Sequence, residues 1–134
     1  TVGPATGWLA EGEISYAGPR AEARARLAGQ VLRERLPALS LRLDLIGVTS
    51  VFADDAGREL ADHIPGDARD VRLRAAASHP DRATAERLNR EVTALYTTGP
   101  AGGGGVRTSL RPRLGTVSCL VPRGQVPITW SFLT

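Results

Sequence analysis

The feature that most constrains the fold of this chain is the order in which two kinds of apolar spacing follow each other. Alternation of apolar and polar residues is typical of strands, and it predicts strands in four segments: residues 8–16, 39–51, 71–78 and 116–121. Helical spacing occurs twice, from Gly18-Pro19 to Pro37 and from Pro80 to Gly99. The predicted order is therefore β-α-β-β-α-β.

This order is typical of an α+β, ferredoxin-like fold. It predicts a four-stranded antiparallel sheet with spatial order 4-1-3-2 and both helices on one face. The helical spacing also predicts which residues of each helix face the sheet. In the first helix they are Ala23, Leu27, Val31 and Leu36, and in the second Ala85, Leu88, Val92 and Leu95.

The carboxy-terminal region adds two expectations. Cys119 lies on the inward side of the predicted fourth strand, so we expect a buried, inert thiol. In residues 126–133 the side chains of Ile128, Trp130 and Phe132 alternate with smaller ones. This pattern predicts an additional edge strand or a segment that docks on the core.

Length and composition favour a single domain over residues 1–134. The chain contains no methionine, even at its first residue, so we expect it to be part of a longer protein. A polar segment, residues 53–70, contains the breakers Gly57, Pro65 and Gly66, and it is predicted as an insertion between the second and third strands. The only cysteine fits a reducing compartment, so a cytoplasmic location is expected. No apolar run approaches membrane-spanning length, and no membrane partner is expected.

All 17 basic residues are arginine, which excludes Schiff-base chemistry and the lysine of a phosphate-binding P-loop. The net charge of +3 is mild, and the arginines alternate with acids, so nucleic acid is not the expected partner. RNA-binding domains of this fold carry aromatic residues on the central strands. Here Trp8 and Tyr16 fall on the inward side, which makes an RNA-binding module the least favoured alternative.

The predicted topology brings three loops with unusual backbone chemistry to one rim of the sheet. They are the end of the first strand, the polar insertion, and the glycine-rich run at residues 99–105. The amino terminus of the first helix lies there too, and its free N–H groups favour an anion. The run could equally be a simple connection between helix and strand. The candidate ligand or interface residues of this rim are Ser15, Tyr16, Gly18, Gly99, Gly102, Gly103, Gly104, Gly105 and Arg107.

Residues capable of catalysis are few. His63 could act with Asp54, Asp55 or Asp62, although a histidine in a loop is more often solvated. His79 precedes Pro80 and is interpreted as a lead into the second helix. Two histidines and one cysteine, far apart in sequence, do not predict a metal site, and no cofactor is expected.

The sheet face without helices is predicted to be charged. Because the first and third strands are neighbours, Glu11 and Glu13 should lie near Arg72 and Arg74. This face is interpreted either as a solvated surface or as a docking surface for another domain or subunit.

Two longer stretches carry a family resemblance: residues 12–19 (GEISYAGP) with residues 23–28 (ARARLA), and residues 95–107 (LYTTGPAGGGGVR). Shorter matches are LDLIGV at 43–48, VRLR at 71–74 and LVPR at 120–123. Together they resemble the carboxy-terminal part of the acyclic terpene utilisation (AtuA-like) family.

The resemblance implies a bacterial protein of acyclic terpene and branched acyl-CoA catabolism, in which a larger α/β region precedes this domain. It carries over no catalytic residue. The favoured hypothesis is an accessory or assembly domain that packs on that α/β region or on a homologous subunit, as a homo-oligomer, and helps to bind an acyl-CoA or a carboxylate. The alternative is a standalone enzyme on small acids or acyl-CoA that uses Ser15, Tyr16, His63 and Arg107.

Overall fold

The computed structural model describes residues 5–51, 54, 57–62, 64–116 and 118–132. The expected alternation of strands and helices is present, with one additional short helix in the polar insertion and a 3-10 turn at Arg123–Gln125. The elements are β1 (Ala5–Ala17), α1 (Ala21–Arg35), β2 (Arg42–Ile46), α2 (Arg58–Asp62), β3 (Asp70–His79), α3 (Arg82–Thr98) and β4 (Gly103–Leu114).

The strands form one antiparallel sheet in the order β2-β3-β1-β4. This is the predicted 4-1-3-2 order, and the ferredoxin-like α+β layout is confirmed. Strand β1 is central and pairs with β3 on one side and β4 on the other. Its inward residues Ala10, Ile14 and Tyr16 are fully buried beneath the helices.

The predicted position of the fourth strand is wrong. The strand begins inside the glycine run at Gly103 and ends at Leu114, whereas residues 116 and 118–121 are neither helix nor strand. Glycines lower β propensity, so sequence patterning missed this segment. Gly105 has a φ of 62° and lies where the pairing register with β1 shifts, between Glu13 and Ser15. A glycine in this conformation is typical of a β-bulge.

Two expectations for the carboxy-terminal region are also corrected. Residues 126–132 form no strand, and Cys119 is exposed. Both follow from the shift of β4, which completes the sheet before residue 116 and leaves residues 116 and 118–132 outside it.

Strand β2 covers five residues instead of the predicted thirteen. The chain leaves the strand at Gly47, whose φ is 101°, and turns back so that the N–H of Leu45 donates to the carbonyl oxygen of Thr49 at 2.9 Å. The strand therefore ends at this turn, although the alternation of apolar and polar residues continues in the sequence to residue 51.

Helix α1 presents a different face to the sheet from the one predicted. Ala23 and Leu27 point outward, and Leu27 is 50% exposed, although Leu36 is buried as expected and Val31 packs against the core while partly buried. The face on the core consists of small residues and one leucine: Ala21, Ala25, Ala28, Gly29 and Leu32. Small residues allow a close approach, and a Cβ on Gly29 would lie 3.1 Å from the Cδ1 of Leu43.

Helix α3 was predicted correctly. Ala85, Leu88, Val92 and Leu95 are its buried residues, and Gly99 ends it. The carboxylate of Asp81 caps its amino terminus by accepting a hydrogen bond from the N–H of Thr84 at 2.7 Å. Hydrogen bonds from the side chain and backbone of Thr84 lower the pKa of Asp81.

Gly12 sets how close α3 lies to the centre of the sheet. A Cβ at this position would stand 2.7 Å from Cγ2 and 3.0 Å from Cβ of Val92. Distances this short leave no room for a methyl group, so the helix rests directly on the backbone of β1.

We predict that Gly12→Ala lowers the free energy of unfolding by about 1–3 kcal/mol, because overpacking forces the helix or Val92 to move. Urea denaturation measures the change. In the double variant with Val92→Ala, the loss in the free energy of unfolding should be smaller than the sum of the losses in the two single variants. Gly104→Ala is the matched control, since a Cβ there meets no atom within 4 Å. Equal losses at Gly12 and Gly104 would contradict the contact.

Candidate functional site

Arg24 of α1 joins the two connections that form the helix side of the rim. Its Nη2 donates to the carbonyl oxygens of Ala17 at 2.6 Å and Pro19 at 3.0 Å, and its Nη1 donates to that of Ala101 at 2.8 Å. One guanidinium group thus binds the β1–α1 link to the start of the glycine run. The structure brings these two segments together, as the topology predicted.

The polar insertion is attached to the same rim by Glu22. This side chain is buried, and its carboxylate accepts hydrogen bonds from the N–H of Gly66 at 3.2 Å and from Nε of Arg26 at 3.0 Å. Arg26 also donates to the carbonyl oxygen of Leu60, at 3.0 Å. Burial raises the pKa of Glu22, but the hydrogen bonds from Gly66 and Arg26 outweigh it and hold the pKa below its ordinary value.

Sequence reasoning missed both of these side chains. The only signal is that charged residues stand in the first turn of a helix that follows a strand directly. Arg20, just before them, adopts the left-handed conformation with a φ of 57°, which fixes the entry into α1.

The structure separates two neighbouring candidates, Ser15 and Tyr16, because successive residues of a strand face opposite sides. Tyr16 is fully buried under the helices, with the guanidinium of Arg24 5.7 Å from its ring centre. Its hydroxyl forms no hydrogen bond with the described residues. Burial raises the pKa of Tyr16, against a smaller lowering by Arg24, so the phenol stays neutral at physiological pH.

The candidate glycines also differ in their surroundings. Gly103 pairs with Tyr16, and a Cβ on it would lie 2.7 Å from Cδ1 of Ile14, so it packs on the helix side. Gly102 adjoins Arg24, whose Nη1 would be 2.7 Å from an added Cβ. Gly18 has an N–H that donates to the carbonyl oxygen of Arg69 at 2.8 Å. Gly99 ends α3.

Ser15 lies on the open face of the sheet, where its hydroxyl accepts a hydrogen bond from Nε of Arg72 at 3.1 Å. Gly104 is its partner in β4, and Gly105 follows. Arg72 also forms an ion pair with Glu13, at 3.0 Å. The expected proximity of Glu13 to the arginines of β3 is confirmed.

Arg107 lies on this open face and not among the loops of the rim. It pairs with Glu13 across the strands and is exposed. With Glu11, Thr108 and Ser109 these two residues line a shallow depression of about 220 Å³. Within the described part of the chain Arg107 forms no ion pair. His63 lies outside the described residues, and Asp54 is engaged with Arg58 at 2.9 Å.

A chain of ion pairs crosses all four strands on the open face. Arg42 contacts Asp44 at 3.1 Å, Asp44 contacts Arg74 at 2.9 Å, Arg74 contacts Glu11, and Glu11 contacts Arg111 at 3.1 Å. Asp44 is buried by the guanidinium groups beside it. Burial lowers the pKa of Arg74, but its hydrogen bonds to Glu11 and Asp44 outweigh this effect and raise it.

Among the described residues no group of three or more histidine, cysteine or acidic side chains could hold a metal ion. None of the helices in the described ranges is both long and apolar enough to cross a bilayer.

The sheet order, the helices on one face and the joined loops define the class: an α+β domain with the ferredoxin-like layout. The family described as "Acyclic terpene utilisation family protein AtuA" matches residues 1–132, so the chain belongs to the AtuA family. The resemblance seen in the sequence is thereby confirmed, and membership suggests a role in acyclic terpene utilisation. No curated protein and no solved structure matches the chain.

The lowered pKa of Glu22 predicts how stability depends on pH. The folded protein binds this proton less tightly than the unfolded chain does. Its contribution is therefore complete above the ordinary pKa of 4.5 and is lost as the pH falls through the lower pKa of the folded state. We expect Glu22→Gln to cost about 1–3 kcal/mol at pH 7, by urea denaturation, and progressively less in acid.

The control for this experiment is Glu34→Gln, at an exposed position of the same helix. It should leave the free energy of unfolding within about 0.5 kcal/mol at every pH. A cost of Glu22→Gln that stays constant down to pH 3 would show that its charge does not stabilise the fold.

Proposed function

We propose that this chain is an accessory domain for assembly within AtuA-family proteins. It packs on a larger α/β domain or on another subunit, and its role in acyclic terpene utilisation depends on that packing. The observation that carries the proposal is the carboxy-terminal tail, of which the structure describes residues 115–116 and 118–132.

The tail is apolar and stands outside the core of the domain. Arg123 is its only charged residue. Ile128 is 75% exposed, Trp130 79% and Phe132 83%. Large apolar side chains grouped in this way are typical of a protein interaction site, because leaving them in water is unfavourable. Aromatic anchors of this kind dominate the energy of many interfaces.

The alternative of a standalone enzyme has less support. It requires Ser15, Tyr16 and Arg107 to act on one substrate, yet β1 directs Ser15 to the open face and Tyr16 into the core. Arg24 and Glu22, which both lie at the rim, are held in hydrogen bonds that join loops of the fold.

Trypsin tests the assembly proposal, because the peptide bond after Arg123 lies in an exposed turn of the tail. In the protein at its native length, packing of the tail should protect this bond. Changing Ile128, Trp130 and Phe132 together to serine should restore cleavage, since the tail loses its apolar anchors. Mass spectrometry of the digest measures both.

The matched control changes Val51 and Ile64 to serine, since these side chains are 88% and 84% exposed but lie outside the tail. It should leave Arg123 protected. Rapid cleavage after Arg123 in the unchanged protein would overturn the proposal.

A second candidate function is binding of an anionic ligand, a carboxylate or an acyl-CoA. The observation that favours it is the exposed guanidinium of Arg107, which lies with Ser109 on the open face, in a depression that Glu11 and Glu13 also line. Its neighbours Arg72, Arg74 and Arg111 are occupied by ion pairs. An arginine with its donors available is suited to a carboxylate or a phosphate.

Arg107→Ala should weaken binding of coenzyme A or acetate at least about tenfold if this guanidinium holds the anion, since charge-assisted hydrogen bonds contribute about 1.5–3 kcal/mol. Isothermal titration calorimetry measures the affinity. Arg87→Ala, at an exposed position of α3, removes the same charge elsewhere and should leave the affinity unchanged. Equal affinities of the Arg107 variant and the unchanged protein would exclude this function.

A further inference from the structure

A second apolar surface is present on α1, on the side away from the sheet. Pro19, Ala23 and Leu27 form a groove of about 370 Å³, with Arg20 and Arg24 beside it. Arg24 is held in place by its three carbonyl partners, so this wall of the groove is rigid. The space suits an aromatic ring, because guanidinium groups stack favourably on aromatic faces.

The tail offers aromatic rings of this kind. Trp130 and Phe132 contact each other edge to face, with ring centres 5.3 Å apart, and both are exposed. The same chain therefore carries an apolar anchor and an apolar groove, both open to solvent. A chain that holds both halves of one contact is self-complementary, which is the requirement for a two-fold symmetric dimer.

The tail would have to be almost fully extended to fill the groove of its own domain. Leu114, where β4 ends, pairs with Ala5 at the start of β1, whereas the groove follows Ala17 at its other end. Thirteen residues of strand separate these ends by about 40 Å. From residue 114 to Trp130 a fully extended chain spans about 53 Å. The turn at Arg123–Gln125 shortens that span, and the chain must also pass around the helices.

We propose that the tail of one copy docks in the α1 groove of a second copy, and that the second copy does the same in return. This inference rests on the proposed assembly function and names the partner. Aromatic side chains bury about 150–250 Å² each. In each half of the dimer, two aromatic side chains, Ile128 and the groove that receives them would be buried. The two symmetric halves together bury roughly 1,500 Å² of surface, the size of a stable interface.

Sedimentation velocity of the chain tests the dimer with one change in each half. Leu27→Asp places a charge in the groove, and Trp130→Ser removes the main anchor of the tail. Each should raise the dimer dissociation constant at least about 30-fold, as expected for an interface hot spot. Val51→Asp is the control, since it adds the same charge at a residue 88% exposed, and it should sediment like the unchanged chain.

Mixing the two variants is the decisive measurement. A mixed dimer retains one intact contact, between the tail of the Leu27→Asp copy and the groove of the Trp130→Ser copy, so mixing should restore dimers that neither variant forms alone. Circular dichroism of each variant confirms that it is folded.

A dimer that survives Leu27→Asp, or a mixture that stays monomeric, would overturn the inference. Protection of Arg123 in the native-length protein would then still support assembly through the tail onto another surface. Cleavage after Arg123 in that protein would instead contradict both proposals.

Discussion

The direct contact between α3 and the backbone of β1 at Gly12 is the constraint on which the rest of the structure depends. Because β1 pairs on both sides, anything that lifts α3 from it also moves the connection into β4. Helix α1 follows the same principle with a face of alanine and glycine in place of large side chains. Two closely seated helices bring Arg24 and Glu22 within reach of three connections, so the rim is joined by hydrogen bonds that depend on this packing.

Neither edge of the sheet is left as a simple free strand. On β4, the N–H of Val106 donates to the hydroxyl of Tyr96 at 3.3 Å, and the side chain of Asn89 donates to the carbonyl oxygen of Ser109 at 2.9 Å. On β2, the turn through Thr49 pairs with Leu45. These bonds occupy backbone groups that would otherwise invite another strand.

The spacing of apolar residues correctly predicted those helices and strands that have a single apolar face. The face of α3, the inward residues of β3 and the charge pairs of Glu11 and Glu13 with Arg74 and Arg72 all follow from periodicity and strand order. The start of β4 could not be predicted in this way, since its glycines have no side chains to show a pattern. The hydrogen bonds of Arg24 and Glu22 connect residues distant in sequence, and no spacing along the chain reveals them. For Ser15 and Tyr16, the strand itself decides that they serve opposite faces.

The incorrect prediction for α1 is informative about assembly. Ala23 and Leu27 belong to a helical repeat of apolar residues, which indicates a buried stripe, and the sheet nevertheless packs against the alanine side. Both observations hold if the helix has two apolar sides, one for its own core and one for a partner. The tail behaves likewise, because Ile128, Trp130 and Phe132 alternate as in a buried strand while they stand exposed. In each case the apolar pattern is what the proposed assembly requires, since a second copy would bury surfaces that this copy leaves exposed.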